Sequence, residues 1–156
     1  MSPTRLLALW HRLGGSAPGR WLFSRLIGFA APYSGSIGAR VTSLEPGRAT
    51  VTLRDRRAVR QHLGSVHAVA LANLCELASG LAMLAAWEPG VRGIVTDIHI
   101  RYHKKARGQL TAEGTAAPPA VEGPVEALAH AEVRDAAGDL VAEATVTWKL
   151  DRRGAN

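Results

Sequence analysis

Cysteine is all but missing from this chain: Cys75 is its one thiol in 156 residues. That excludes a disulfide framework and a cysteine-based zinc site. A lone thiol in an apolar stretch reads as a small core residue, and a reducing, cytoplasmic setting is expected. Aromatic residues are also few, 5% of the chain. They are too sparse for a base-stacking platform, so nucleic acid is not expected as a partner. The N-terminus lacks a long apolar run: LLALW meets His11 and Arg12 after five residues, with no small-residue cleavage site, unlike a secretory signal. Repeats and low-complexity tracts are absent too. Acidic residues are outnumbered, 13 against 19 lysines and arginines, for a formal charge of +6 spread along the chain. Such a balance suits an anionic partner, whether the phosphates of a cofactor, nucleic acid or an acidic membrane surface.

What is present suffices for one domain with a core. Leu6, Leu9, Trp10 and Leu13 fall at helical spacing, and after GGSAPG a second short helix brings Leu22, Leu26 and Phe29 together. Two such basic helices either lie on a membrane or, the reading preferred here, pack over the domain edge. From Ser36 the period becomes two, and residues 36–55 read as a hairpin turning at Pro46 and Gly47. A long apolar helix is predicted over 66–87, roughly 30 Å at the usual rise. Its length would allow a membrane span, but Asn73 and Glu76 near its middle and the strands that follow argue for a core helix. Four strand patterns complete the chain. In the first, Ile94, Thr96, Ile98, Ile100 and Tyr102 share a face, with Asp97, His99 and His103 opposite. Asp97 and His103 are roughly 20 Å apart at strand rise, too far for one metal ion. No metal is expected. A helix apolar nearly all round must be buried all round. The expected fold class is therefore α+β, a long central helix wrapped by a curved antiparallel sheet of five to six strands.

One residue resists that simple packing account. Glu76 lies among alanines and leucines, where an uncompensated carboxylate is costly. Two explanations stand: a general base or nucleophile whose pKa is raised by burial, or a structural acid paired with an arginine or hydroxyl.

The segments RQHLGSVHAVALANLCELASG and TDIHIRYHKKARGQLTAEG, with the element order, resemble the hotdog-fold superfamily of acyl-CoA thioesterases and dehydratases. The likeness spans about residues 36–150. It is nearest to a domain-of-unknown-function group beside the phenylacetate-type thioesterases. The resemblance implies a hotdog domain over 33–152 behind an N-terminal helical extension over 1–32. In the phenylacetate-type enzymes a histidine-glycine-glycine segment opens the helix, and an acid follows nine positions after the histidine. Here His67 and Glu76 match, Ala68 and Val69 replace the glycines, and Gln61 stands where many relatives have asparagine. The resemblance thus implies Glu76, Gln61 and His67 as catalytic candidates, with His67 either a scaffold or a participant.

Backbone N–H groups near Ala68 and Val69 would bind the oxyanion. Asn73, one turn before Glu76, bonds that acid, lines the pocket or satisfies a backbone carbonyl. Thr96 or Val95 falls where some relatives hold the catalytic water, and a slip of one residue switches faces. Lys104, Lys105 and Arg107, together with Arg101, meet the phosphates of coenzyme A or guard a strand end against edge pairing. No cofactor is implied, since coenzyme A belongs to the substrate. In such enzymes the acid acts across a dimer interface, so a homodimer or dimer of dimers is expected. The expected function is acyl-CoA thioester hydrolysis. The alternative is a non-catalytic acyl-CoA or lipid-binding hotdog protein, and a dehydratase is a weaker rival.

Overall fold

The structure, a computed structural model, describes residues 2–152. Three helices come first: α1 (Pro3–Leu13), α2 (Ala17–Ala30) and the short α3 (Pro32–Ser36). Ser2 and Ser16 cap α1 and α2 through side chains that accept from Arg5 N–H and Gly19 N–H, and each of the three helices carries proline in its first turn, where no N–H is missed. The hairpin β1 (Arg40–Glu45) and β2 (Arg48–Leu53) follows, then α4 (Ala68–Ala86), β3 (Val91–Tyr102), β4 (Leu110–Ala116), β5 (Val125–Arg134) and β6 (Leu140–Arg152). The hairpin turns on Pro46 and on Gly47, whose φ of +79° is what a type II turn needs at its third position. It starts later than residue 36, because Ser36 and Ile37 finish α3.

All six strands join one antiparallel sheet in the order β1-β2-β4-β5-β6-β3. Helix α4 lies across its middle, against β4, β2 and β5, and α1 and α3 also pack on it. Nearly every α4 side chain is buried or half-buried, as its uniform hydropathy requires. A row of small residues across the sheet permits this close approach: Ala49, Gly114, Ala131 and Ala144 pair in register through β2, β4, β5 and β6. A Cβ on Gly114 would lie 2.2 Å from the backbone of Ala78. The sheet and α4 are therefore in backbone contact at that point.

Two expectations are corrected. In α2, Leu22, Leu26 and Phe29 face outward, with Phe29 87% exposed, while Phe23 and Ile27 enter the core. This helix is apolar on two faces, so periodicity could not choose between them. Tertiary contacts did: Val41 N–H donates to Ser24 Oγ at 2.9 Å, and Trp10 meets the Phe23 ring edge-on at 5.0 Å. In β3, a bulge at Thr96 breaks the alternation. Val95 pairs with Trp148 and Ile98 with Val146, so Val95, Ile98, Ile100 and Tyr102 share the inner face. Ile94 is turned to the outer face and is 67% exposed.

Candidate active site

Glu76 projects from α4 toward α2 and α3 rather than into the sheet. Its carboxylate is half-buried and borders a cavity of about 200 Å³ walled by Ile27, Ala31, Leu77, Leu81 and Trp148. Ser34 Oγ donates to Glu76 Oε2 at 3.4 Å. No basic group among the described residues lies within ion-pair distance of it. Burial raises the carboxyl pKa above its ordinary value, and the Ser34 hydrogen bond partly opposes that by favouring the charged form. Gly80, one turn on, keeps room beside the acid: a Cβ there would sit 3.4 Å from Trp148 and 3.8 Å from Glu76 Oε1. Trp148 Nε1 is buried on this wall with no acceptor among the described residues. A carboxylate with raised proton affinity, beside an apolar cavity and unneutralised by a cation, is suited to taking a proton from water or attacking an electrophile.

The helix start forms a second cavity of about 280 Å³, lined by Tyr33, Arg60, His67, Val69 and Asn73. His67 is the N-cap of α4, and its Nδ1 accepts from Val69 N–H at 3.1 Å. The histidine thus caps the helix, and it occupies one of the two N–H groups expected to serve as donors. Ala68 N–H and Ala70 N–H have no partner among the described residues. Asn73 donates to Tyr33 O at 3.0 Å and lines this cavity, while its Oδ1 is buried with no donor among the described residues. It does not bond Glu76. Replacing His67 with alanine should lower stability by about 1 kcal/mol, the usual worth of an N-cap, as read by thermal unfolding.

Within one chain the acid and the helix start do not form one site. Glu76 follows Ala68 by eight positions, roughly 12 Å along a helix, and the cavity lined by His67, Val69 and Ala70 is separate from the one that Glu76 borders. Gln61 lines neither; its Nε2 donates to Ser65 Oγ at 2.8 Å and steadies the turn into α4. Thr96 sits in the exposed edge bulge and donates to Thr147 O at 3.3 Å. Lys104 is held by Asp135 and Asp139 at 2.7 and 2.6 Å, and in return draws the Asp135 carboxyl below its usual range. Arg107 stands beside the Asp55–Arg60 ion pair, and Lys105 is exposed.

The sequence reading missed Ser34, Gly80, Trp148 and Ala70. Ser34 and Trp148 lie far from Glu76 in sequence and carried no signal. Ala70 could have been found, because the first four N–H groups of any helix lack intrahelical partners.

The family model described as a domain of unknown function, DUF4442, matches residues 19–150. Among solved structures, the structural-genomics protein APC5556 superposes with a TM-score of 0.81 at 28% identity, covering 97% of this chain and 99% of its own. PA5026 from Pseudomonas aeruginosa, described as a protein of unknown function and probable thioesterase, gives 0.71 at 26% identity over 86% of this chain and 93% of its own. The thioesterase HI1161 from Haemophilus influenzae gives 0.67 at 18% identity over 80% and 85%. The last likeness is one of fold alone. No curated protein matches the sequence.

Proposed function

We propose that this chain, which belongs to the DUF4442 family and has the hotdog fold, hydrolyses an acyl thioester, with Glu76 as general base. The observation that carries this reading is the half-buried Glu76 carboxylate, facing an apolar cavity with a hydroxyl but no cation beside it. Water adds to the carbonyl carbon as Glu76 takes one of its protons. The tetrahedral oxyanion then expels the thiolate, which recovers that proton, leaving acid and thiol. In the nucleophilic variant, Glu76 itself attacks and the thiolate leaves as an anhydride forms; water then cleaves that anhydride, freeing the acid and Glu76, and the thiolate takes up the proton released.

The oxyanion needs donors that the same chain's helix start is too distant to supply. A second copy supplies them through its Ala68 and Ala70 N–H groups. Strand β3 is the surface suited to that pairing. It is a sheet edge of 12 residues with exposed Ile94, Ile98 and Tyr102, and an uncovered apolar edge invites a partner strand. Ile98→Lys should therefore convert a dimer to a monomer and abolish turnover together, as seen by light scattering and by thiol release.

The direct test is thiol release from a panel of short, long and aromatic acyl-CoAs. One observation favours the rival, non-catalytic reading: Val69 is 52% exposed at the helix start and its N–H is already taken by His67. Tight acyl-CoA binding without turnover across the panel would establish that rival.

A further inference from the structure

A larger cavity, of about 810 Å³, lies between α2, α3 and the start of β1. Arg25 from α2, Arg40 from β1 and Arg56 from the loop after β2 line it, and no carboxylate among the described residues does. Ion pairs engage Arg48, Arg60, Arg92, Arg101, Lys104, Arg134 and Arg152 elsewhere on the surface, but none of these three among the described residues. Arg56 is also positioned. Its Nη2 donates to Ile37 O at 3.0 Å and Ser36 O at 3.4 Å. Gly38, at φ +64°, makes room for it, since a Cβ there would meet Nη2 at 2.8 Å. Three guanidinium groups around one space, without counter-charge, form a site for a polyanion, and planar forks of donors suit phosphate oxygens best.

This cavity adjoins the Glu76 cavity. Ile27, Ser34 and Leu77 form a wall common to both, and Ser34 is the residue that touches the carboxylate. An apolar chamber with an acid therefore opens beside a cationic one. A thioester of a phosphorylated carrier has the same polarity, with an apolar acyl group at one end and phosphates at the other. We infer that the cavity framed by Arg25, Arg40 and Arg56 holds the phosphate-bearing half of coenzyme A while the acyl end lies against Glu76. This rests on the reading of Glu76 as the thioester site. It assigns the N-terminal helices a part in substrate binding and leaves the Lys104 cluster, already held by aspartates, out of it.

The test uses the full chain and calorimetric titration with coenzyme A itself. The Arg25 and Arg40 side chains make no hydrogen bond or ion pair among the described residues, so Arg25→Gln/Arg40→Gln should keep the wild-type melting temperature. The double variant should bind coenzyme A roughly 10- to 100-fold more weakly, the loss expected for charge-assisted hydrogen bonds, and the affinity of the wild type should fall with added salt. Its preference for an acyl-CoA over the N-acetylcysteamine thioester of the same acyl group, which lacks phosphates, should collapse by a similar factor. Unchanged coenzyme A affinity in the double variant overturns the inference. So does unchanged affinity joined to lost binding of phosphatidylglycerol vesicles, which would assign the arginines to a membrane surface beside exposed Trp21 and Phe29. Arginine-dependent coenzyme A binding without hydrolysis of any thioester would uphold this subsite while removing the catalytic role of Glu76.

Discussion

Glu76→Gln is expected to slow thioester hydrolysis by about 10²–10⁴-fold, the usual worth of a positioned general base, while making the protein more heat-stable at neutral pH. Both effects have one cause. Burial holds the Glu76 carboxyl pKa above its value in the unfolded chain, with the Ser34 hydrogen bond acting weakly the other way. Between those two values the folded state keeps a proton that the unfolded state has lost. Stability contributed by this group therefore falls as pH rises through that window, and the penalty is complete above the folded value. Glutamine removes the penalty. The melting temperature of the variant should exceed that of the wild type by a few degrees near neutrality, and the two should converge in acid, below the unfolded value. Turnover should rise with pH as the base ionises, at a midpoint above the ordinary carboxylate range. Ser34→Ala should move that midpoint higher, because it removes a group that favours the charged form. Equal turnover in Glu76→Gln, or a rate profile indifferent to Ser34, would remove the acid from the chemistry.

Gly114→Ala is expected to cost about 4 kcal/mol or more, enough to abolish or nearly abolish folding of a domain with ordinary stability. The added methyl would meet Ala78 carbonyl carbon and oxygen at 2.2 Å and Ser79 nitrogen at 2.5 Å. These are backbone atoms of α4, which cannot turn aside as a side chain would. Relief requires lifting the central helix from the sheet along the row Ala49, Gly114, Ala131 and Ala144. Overpacking elsewhere commonly costs 1–3 kcal/mol because neighbouring side chains adjust. Gly123→Ala is the matched control, since a Cβ there meets nothing within 4 Å, and it should change stability by less than about 0.5 kcal/mol. Chemical denaturation of both variants decides the matter. A Gly114→Ala protein as stable as the control would mean that α4 does not lie as close to β4 as described.

Much of the fold was legible because burial imposes a period. Alternation marked β2, β5 and β6, whose inner residues are the buried ones. The uniform hydropathy of residues 68–86 marked a helix covered on every side. The buried Cys75 thiol, pushed up to about 12 by desolvation, fits the core role read from its surroundings. Periodicity failed where two patterns were equally apolar or where one extra residue entered. Helix α2 offers Leu22 and Leu26 on one face and Phe23 and Ile27 on another, and only packing against α1 and β1 chose between them. Thr96 is an added residue in an otherwise regular strand, and nothing local distinguishes it from its neighbours.

The site divides in the same way. Sequence alone determined that an acid sits deep in the central helix nine residues after a histidine, and that the helix start offers unpaired N–H groups, because both follow from helical spacing and from the hydrogen-bond pattern of any helix. Only the tertiary structure decided that the acid and those groups border separate cavities in one chain, that Val69 N–H is taken by His67, and that Ser34, Trp148 and three arginines surround the acid's neighbourhood. Those residues come from elements 42 residues away in the case of Ser34. Contact between them depends on how α2 and α3 dock against α4, which is set by the shapes that meet there and not by any local pattern of residues.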